Sequence, residues 1–223
     1  MTVKTASPDF ASSALDTPDD QAIRSACDAA GRLFRTYERH CQEPSSDTLF
    51  SLLTAMHSLN DRLQKAVRQN FHSVAEFSAL KAIRNLGHHQ EELAANVRVI
   101  PAPAFSDLGI MCIVRRDQIE RAIEATQERW RDETRAACEA VFHWYGSAVN
   151  INPCVLNFMV RAYEVLSEAG VRPAEQDIAS FEASYQYENE HGHSHYVDGK
   201  LSAPVAEIST LFANMVSQMP APD

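Results

Sequence analysis

Residues 49–67 read Leu49-Phe50-Ser51-Leu52-Leu53-Thr54-Ala55-Met56-His57-Ser58-Leu59-Asn60-Asp61-Arg62-Leu63-Gln64-Lys65-Ala66-Val67. Leu49, Leu52, Leu53, Met56, Leu59, Leu63, Ala66 and Val67 recur every three or four residues, the interval at which side chains share one face of a helix. The stretch is too long for a strand and holds no glycine or proline to break it. It therefore predicts an amphipathic helix with one face in a core, and it sets the pattern for the rest of the chain.

Working outward, Glu43-Pro44-Ser45-Ser46-Asp47 is a connector rich in capping residues. Before it, Ile23, Cys27, Ala30, Leu33, Phe34 and Tyr37 predict a helix that starts at Asp19 or Asp20 and fades near His40. After it, the chain turns at Asn70–Ser73, where Ser73 and Glu76 form a capping box. A third helix follows with Phe77, Leu80, Ile83 and Leu86 inward and runs toward Ala95. Residues 97–116 hold Pro101, Pro103, Gly109 and two short apolar runs, which read as a long loop or a small β-hairpin. A long charged helix is expected from Asp117 to about Trp144, with Ile119, Ile123, Trp130, Ala137 and Val141 inward. Asn152-Pro153 opens another, ending near Gly170. Helix is expected again over 173–187, a loop over 188–202 and a last short helix over 205–219. The fold class is all-α: an antiparallel helical bundle with an irregular or hairpin insertion near 97–116 and a C-terminal helical extension. The organisation is a disordered leader at 1–18, the bundle at 19–171 and an acidic extension at 172–223.

Composition narrows the function. The 223 residues are 45% hydrophobic, enough for a substantial core. No apolar run is long enough to span a bilayer, and the first twenty residues lack a secretory pattern, so a cytoplasmic protein with no membrane partner is expected. The five cysteines form no C-x-x-C pair, which suits reduced thiols. A net charge of −10 argues against a broad grip on nucleic acid. Most of that excess lies in 172–223, where two basic residues face eight acidic ones. Arginine supplies sixteen of the twenty basic side chains and suits planar contacts to phosphate or carboxylate.

The segment that carries chemistry is Arg84-Asn85-Leu86-Gly87-His88-His89, on the third helix. Asn85 and His89 are four apart and share a face; Arg84 and His88 form a second pair one step around. Histidine shuttles protons near neutral pH, and arginine stabilises charge on a phosphoryl group. RNA brings its own nucleophile, the 2′-hydroxyl, so its cleavage needs no metal.

Arg84-Asn85-x-x-x-His89 resembles the R-N-x-x-x-H signature of the HEPN superfamily (higher eukaryotes and prokaryotes nucleotide-binding). The preceding helix, with His57-Ser58-Leu59-Asn60-Asp61-Arg62-Leu63, has a similar flavour. The resemblance extends over residues 20–165, although its specific part is those six positions. It implies a metal-independent endoribonuclease that dimerises with two motifs face to face, as in toxin–antitoxin, phage-defence and CRISPR-linked systems. Arg84 and His89 would be the catalytic pair, Asn85 an orienting residue and His88 a secondary candidate. RNA would be the substrate, an antitoxin-like protein a partner, and no cofactor would be required.

Two other readings stand beside it. The same bundle without catalysis would be an interaction module whose acidic extension engages a basic partner or shields the site. In Glu188-Asn189-Glu190-His191-Gly192-His193-Ser194-His195, an extended backbone would point His191, His193 and His195 to one side, a pattern able to bind zinc or nickel with Glu190 or Asp198. A mobile polar loop is the simpler reading of that segment. A version joining it to His88, His89 and Glu92 lacks a second carboxylate–histidine pair. Phe142-His143-Trp144-Tyr145 reads as the amphipathic end of a helix, and His40, His57 and His72 as structural histidines.

Overall fold

Ser45 opens the helix that sets the architecture. Its hydroxyl accepts a hydrogen bond from Thr48 N (3.1 Å), while Thr48 Oγ1 accepts one from Ser45 N (3.0 Å), so two of the orphan donors at the helix start are satisfied. The resulting helix α2 (Ser46–Val67) buries Leu49, Leu52, Leu53, Met56, Leu59 and Leu63, the face read from the sequence. Helix α1 (Pro18–Gln42) packs along it. The computed structural model describes residues 18–89, 97–101, 110–199 and 210. The expected leader at 1–18 and last helix at 205–219 fall almost wholly outside the described residues.

Arg68 ends α2 in the left-handed region (φ 61°) and turns the chain. Asn60 Oδ1 then accepts from Phe71 N (2.9 Å), and Asn70 Oδ1 from His72 N (3.0 Å), which fixes the corner into α3 (Ala75–His89). Val74, whose carbonyl accepts from Ser78 N, stands at the start of α3, one residue past the expected Ser73 cap. Phe71, Phe77 and Phe158 form an aromatic triangle beneath this corner, with centroids 5.3–6.0 Å apart.

The hairpin of the insertion exists: β1 (Val97–Pro101) pairs antiparallel with β2 (Ile110–Arg115), Val97 opposite Val114 and Pro101 opposite Ile110. The long helix expected from Asp117 to Trp144 does not. Helix α4 (Arg116–Glu124) stops, and α5 (Glu128–Val141) turns back along it. Arg135 reaches Glu120 and Glu124 at 2.7 Å each, and Arg131 reaches Glu124 at 3.2 Å. The charge alternation that reads as support along one helix therefore ties two helices together. Residues 142–145 are not a helix end either. β3 (His143–Tyr145) and β4 (Ala148–Asn150) form a second hairpin across Gly146 (φ +63°), and β4 pairs with β2. The sheet runs β1-β2-β4-β3, all antiparallel.

Helix α6 (Asn152–Glu168) starts with proline in its first turn and buries Val155, Phe158, Met159, Ala162 and Leu166, as its pattern predicts. Helix α7 (Glu175–His191) runs a turn beyond the expected end and packs on α1. The architecture is thus mostly helical with one small sheet, the class read from the sequence. No helix among the described residues is long and apolar enough to cross a membrane.

Candidate functional site

Helix α3 carries Arg84 and Asn85 at the border of the core. Ile83 and Leu86 beside them are buried, while both polar side chains keep partial access to solvent. Arg84 Nη1 donates to Asn85 Oδ1 (3.2 Å). Arg84 Nε is buried and meets no hydrogen-bond acceptor among the described residues. A buried guanidinium nitrogen without an acceptor is costly to the fold. His89 closes α3, one turn after Asn85. The side chains of His88 and His89, and the whole of Glu92, lie outside the described residues.

Around this pair the fold gathers basic groups from three segments. His57 comes from α2, His72 from the corner, and Lys81 from α3 one turn before Asn85. Burial lowers the proton affinity of His57; Asp61 opposes this at 3.5 Å, while Arg84, Lys81 and His72 reinforce it. His72 is lowered by the same kind of desolvation and by Lys81, with Asp61 and Glu133 opposing. His57 thus feels all three other basic groups and His72 feels Lys81, and both imidazoles favour the neutral form, which can accept a proton.

Asn85, Lys81 and His72 line one wall of a cleft of about 280 Å³ between α3 and α5. The opposite wall carries Trp130 and Glu133. Trp130, read from the sequence as inward, is 49% exposed instead, with the Arg129 guanidinium 5.3 Å from its ring centroid. The break at 125–127 puts it in the first turn of a new helix, where the stripe of Ile119 and Ile123 no longer applies. His57 and His72, read as structural, are brought into the site by the corner between α2 and α3. A planar ring beside an amide, a lysine and an imidazole suits a nucleotide-like ligand.

The histidine-rich segment does not form the metal site that an extended backbone would allow. His191 is still helical, Gly192 is left-handed (φ +68°), and the His191 and His193 rings lie nearly parallel 6.2 Å apart while His195 stacks on Tyr185. His191 Nδ1 meets Tyr187 O at 2.7 Å. His195 stacks on Tyr185 (3.6 Å, 10°), with Nδ1 against Glu188 Oε2 (2.6 Å) and Nε2 against Asn189 Oδ1 (3.0 Å). Among the described residues no group of three or more His, Cys, Asp or Glu side chains is arranged to hold a metal. The segment is not a free loop either: Asn157 pairs with both backbone groups of Val197 (2.9 and 3.0 Å), binding residues 192–199 to α6 as a strap.

Cysteine, histidine and asparagine also meet once. Cys112 Sγ lies 3.7 Å from His40 Nε2 and 3.6 Å from Asn152 Oδ1. All three residues are buried. Desolvation pushes the Cys112 thiol up to about 12 and His40 down to about 4. A thiolate nucleophile does not form there, and the set is a sealed polar joint between α1, β2 and α6. No family model, curated protein or solved structure matches the chain.

Proposed function

We propose that this protein is a metal-independent endoribonuclease of the HEPN type, acting as a homodimer in the cytoplasm within a toxin–antitoxin or phage-defence system. The observation that carries the reading is a cleft lined by Asn85, Lys81, His72 and Trp130, with the Arg84 guanidinium bonded to Asn85 behind it. A phosphodiester in the cleft would meet the Asn85 amide, whose oxygen accepts from the Arg84 guanidinium. Lys81 adds charge for the backbone, and Trp130 offers a face on which a base stacks.

In this reading the RNA 2′-hydroxyl gives up its proton and attacks phosphorus, and the 5′-oxygen leaves after taking one. His89 moves the proton, Arg84 stabilises the charge on the phosphoryl oxygens, and Asn85 orients the guanidinium. The products are a 2′,3′-cyclic phosphate and a 5′-hydroxyl.

The test is cleavage of single-stranded RNA in the presence of a chelator, with product ends identified by mass spectrometry. Arg84→Ala and His89→Ala are each expected to slow cleavage at least about 100-fold. Unchanged cutting by His89→Ala, or loss of cutting on chelation, refutes the assignment.

A further inference from the structure

A second cleft, on another part of the bundle, lies between α1, α6 and α7 and has a volume of about 360 Å³. Its existence follows from side-chain size. On α7, Ser180 and Ser184 are one turn apart and face α1 with little bulk, while Phe181 packs against Phe34 and Tyr37 (5.1 and 6.0 Å) and holds the helices at their distance. Gly31 lets the Asp177 carboxylate approach α1, where it meets Arg35. Leu156 and Val160 of α6 supply an apolar wall, and the His195–Tyr185 stack closes one end.

The acidic groups of this cleft outnumber the basic ones. Glu38, Asp177 and Glu188 line it with the His195 ring, and among the described residues no lysine or arginine does. Among the described residues Glu38 is bonded by the Gln42 amide (3.1 Å), a neutral partner. Glu188 accepts from the His195 ring (2.6 Å). Asp177, also in the wall, is neutralised by Arg35. The Tyr37 phenol is driven toward its neutral form by burial and by the Cys41 and Glu188 charges, so it remains a hydroxyl. Carboxylates set among tyrosine and phenylalanine rings repel anions. A neutral apolar guest would strip water from them without replacing it. A bare metal ion lacks a suitable ligand group among the described residues. An organic ammonium ion meets both requirements, pairing its charge with carboxylates and its carbon body with ring faces.

We propose that the cleft between α1, α6 and α7 is a binding site for a small organic cation, held by Glu38 and Glu188 against Tyr37, Phe181 and Tyr185. The site is independent of the ribonuclease reading.

Isothermal titration of the full-length protein at low salt, with putrescine and choline as probes and 1,4-butanediol as the uncharged control, tests this. Saturable binding of at least one cation and none of the diol is expected. Glu38→Gln and Glu188→Gln should each weaken the cation about tenfold, whereas Glu190→Gln, on the exposed end of α7, should not. Absence of saturable binding by both cations overturns the proposal, as does equal binding of the diol. So does affinity unchanged by both cleft substitutions, or lowered as much by Glu190→Gln. The contrast between putrescine and butanediol uses the unmodified chain, so the proposal stays falsifiable if a variant misfolds.

Discussion

Acidification should destabilise this fold through one buried histidine. His40 is 1% exposed at the end of α1. Thr48 Oγ1 accepts from Ser45 N and has the Glu43 and Ser45 carbonyls for its own proton, so at 2.8 Å it acts as acceptor for His40 Nδ1–H. Nε2 is then the bare nitrogen facing the Cys112 thiol, and the imidazole is neutral. Its folded pKa is lowered from 6.5 to about 4 by desolvation. The unfolded chain therefore takes up a proton as pH falls through 6.5, and the folded chain only near 4. Stability is complete above 6.5, falls between 6.5 and 4, and is flat below. At about 1.4 kcal/mol per pH unit, the full loss is about 3 kcal/mol, with about 2.5 kcal/mol gone by pH 4.5. For a chain of this size that lowers the melting temperature by roughly 5–10 °C. His40→Gln keeps a donor and an acceptor but does not titrate. Urea unfolding of both proteins from pH 7.5 to 4.5 isolates the effect, since contributions of other groups cancel in the difference. The stability gap between the two should shift by about 2.5 kcal/mol in favour of the variant as pH falls. Parallel curves would show that His40 is protonated in the fold or reached by water, and the reasoning fails.

Trp130→Ala should leave the melting temperature within about 2 °C of wild type, because the ring is half exposed, yet weaken RNA binding about tenfold by filter retention; equal affinity removes the stacking role. Gly199→Ala should cost about 1–3 kcal/mol and expose 192–199 to protease, since φ is +62° and a Cβ would stand 2.8 Å from His143 Nε2. An unchanged melting curve would mean that the strap tolerates displacement. RNA affinity should fall with salt at a log–log slope of about −1.4, from contacts by Lys81 and Arg84, dropping to about −0.7 in Lys81→Ala; a slope several times steeper would point to another basic surface.

The helices were legible because burial on one face writes a period into the sequence, and α2 carries that period without interruption. The break in 117–144 was not, because the acid-base alternation of Glu124, Glu128, Arg129, Asp132 and Arg135 fits the solvated face of one continuous helix. Only the fold shows that Arg135 reaches across 11 and 15 residues. Carrying the stripe of Ile119 and Ile123 through Thr126 turned Trp130 inward when it faces out. β3 and β4, at three residues each, are too short to show alternation, and their partner β2 is distant in sequence. Arg84 and Asn85 were legible as a motif. The histidines around them were not, since His57 lies on the preceding helix and His72 in a corner built by Asn60, Asn70 and Arg68. The Asn157–Val197 clamp, 40 residues apart, likewise left no local trace, so the strap looked like a loop.

The acidity of the chain and a site for RNA are compatible once distance enters the argument. Net charge acts over a Debye length of about 8–10 Å at moderate salt, so charges farther off contribute little to a bound phosphate. Close to this site, His57 feels Arg84, Lys81 and His72 against Asp61, and His72 feels Lys81 against Asp61 and Glu133. The arrangement favours a short anionic segment gripped at one point over a long duplex held along a surface. It also bears on the histidines: desolvation lowers the proton affinity of His57 and His72, Lys81 adds to this at both, and Arg84 adds to it at His57. A phosphate that neutralises those cations should raise the proton affinity of both rings. Substrate binding would then draw protons toward the place where the leaving oxygen needs one.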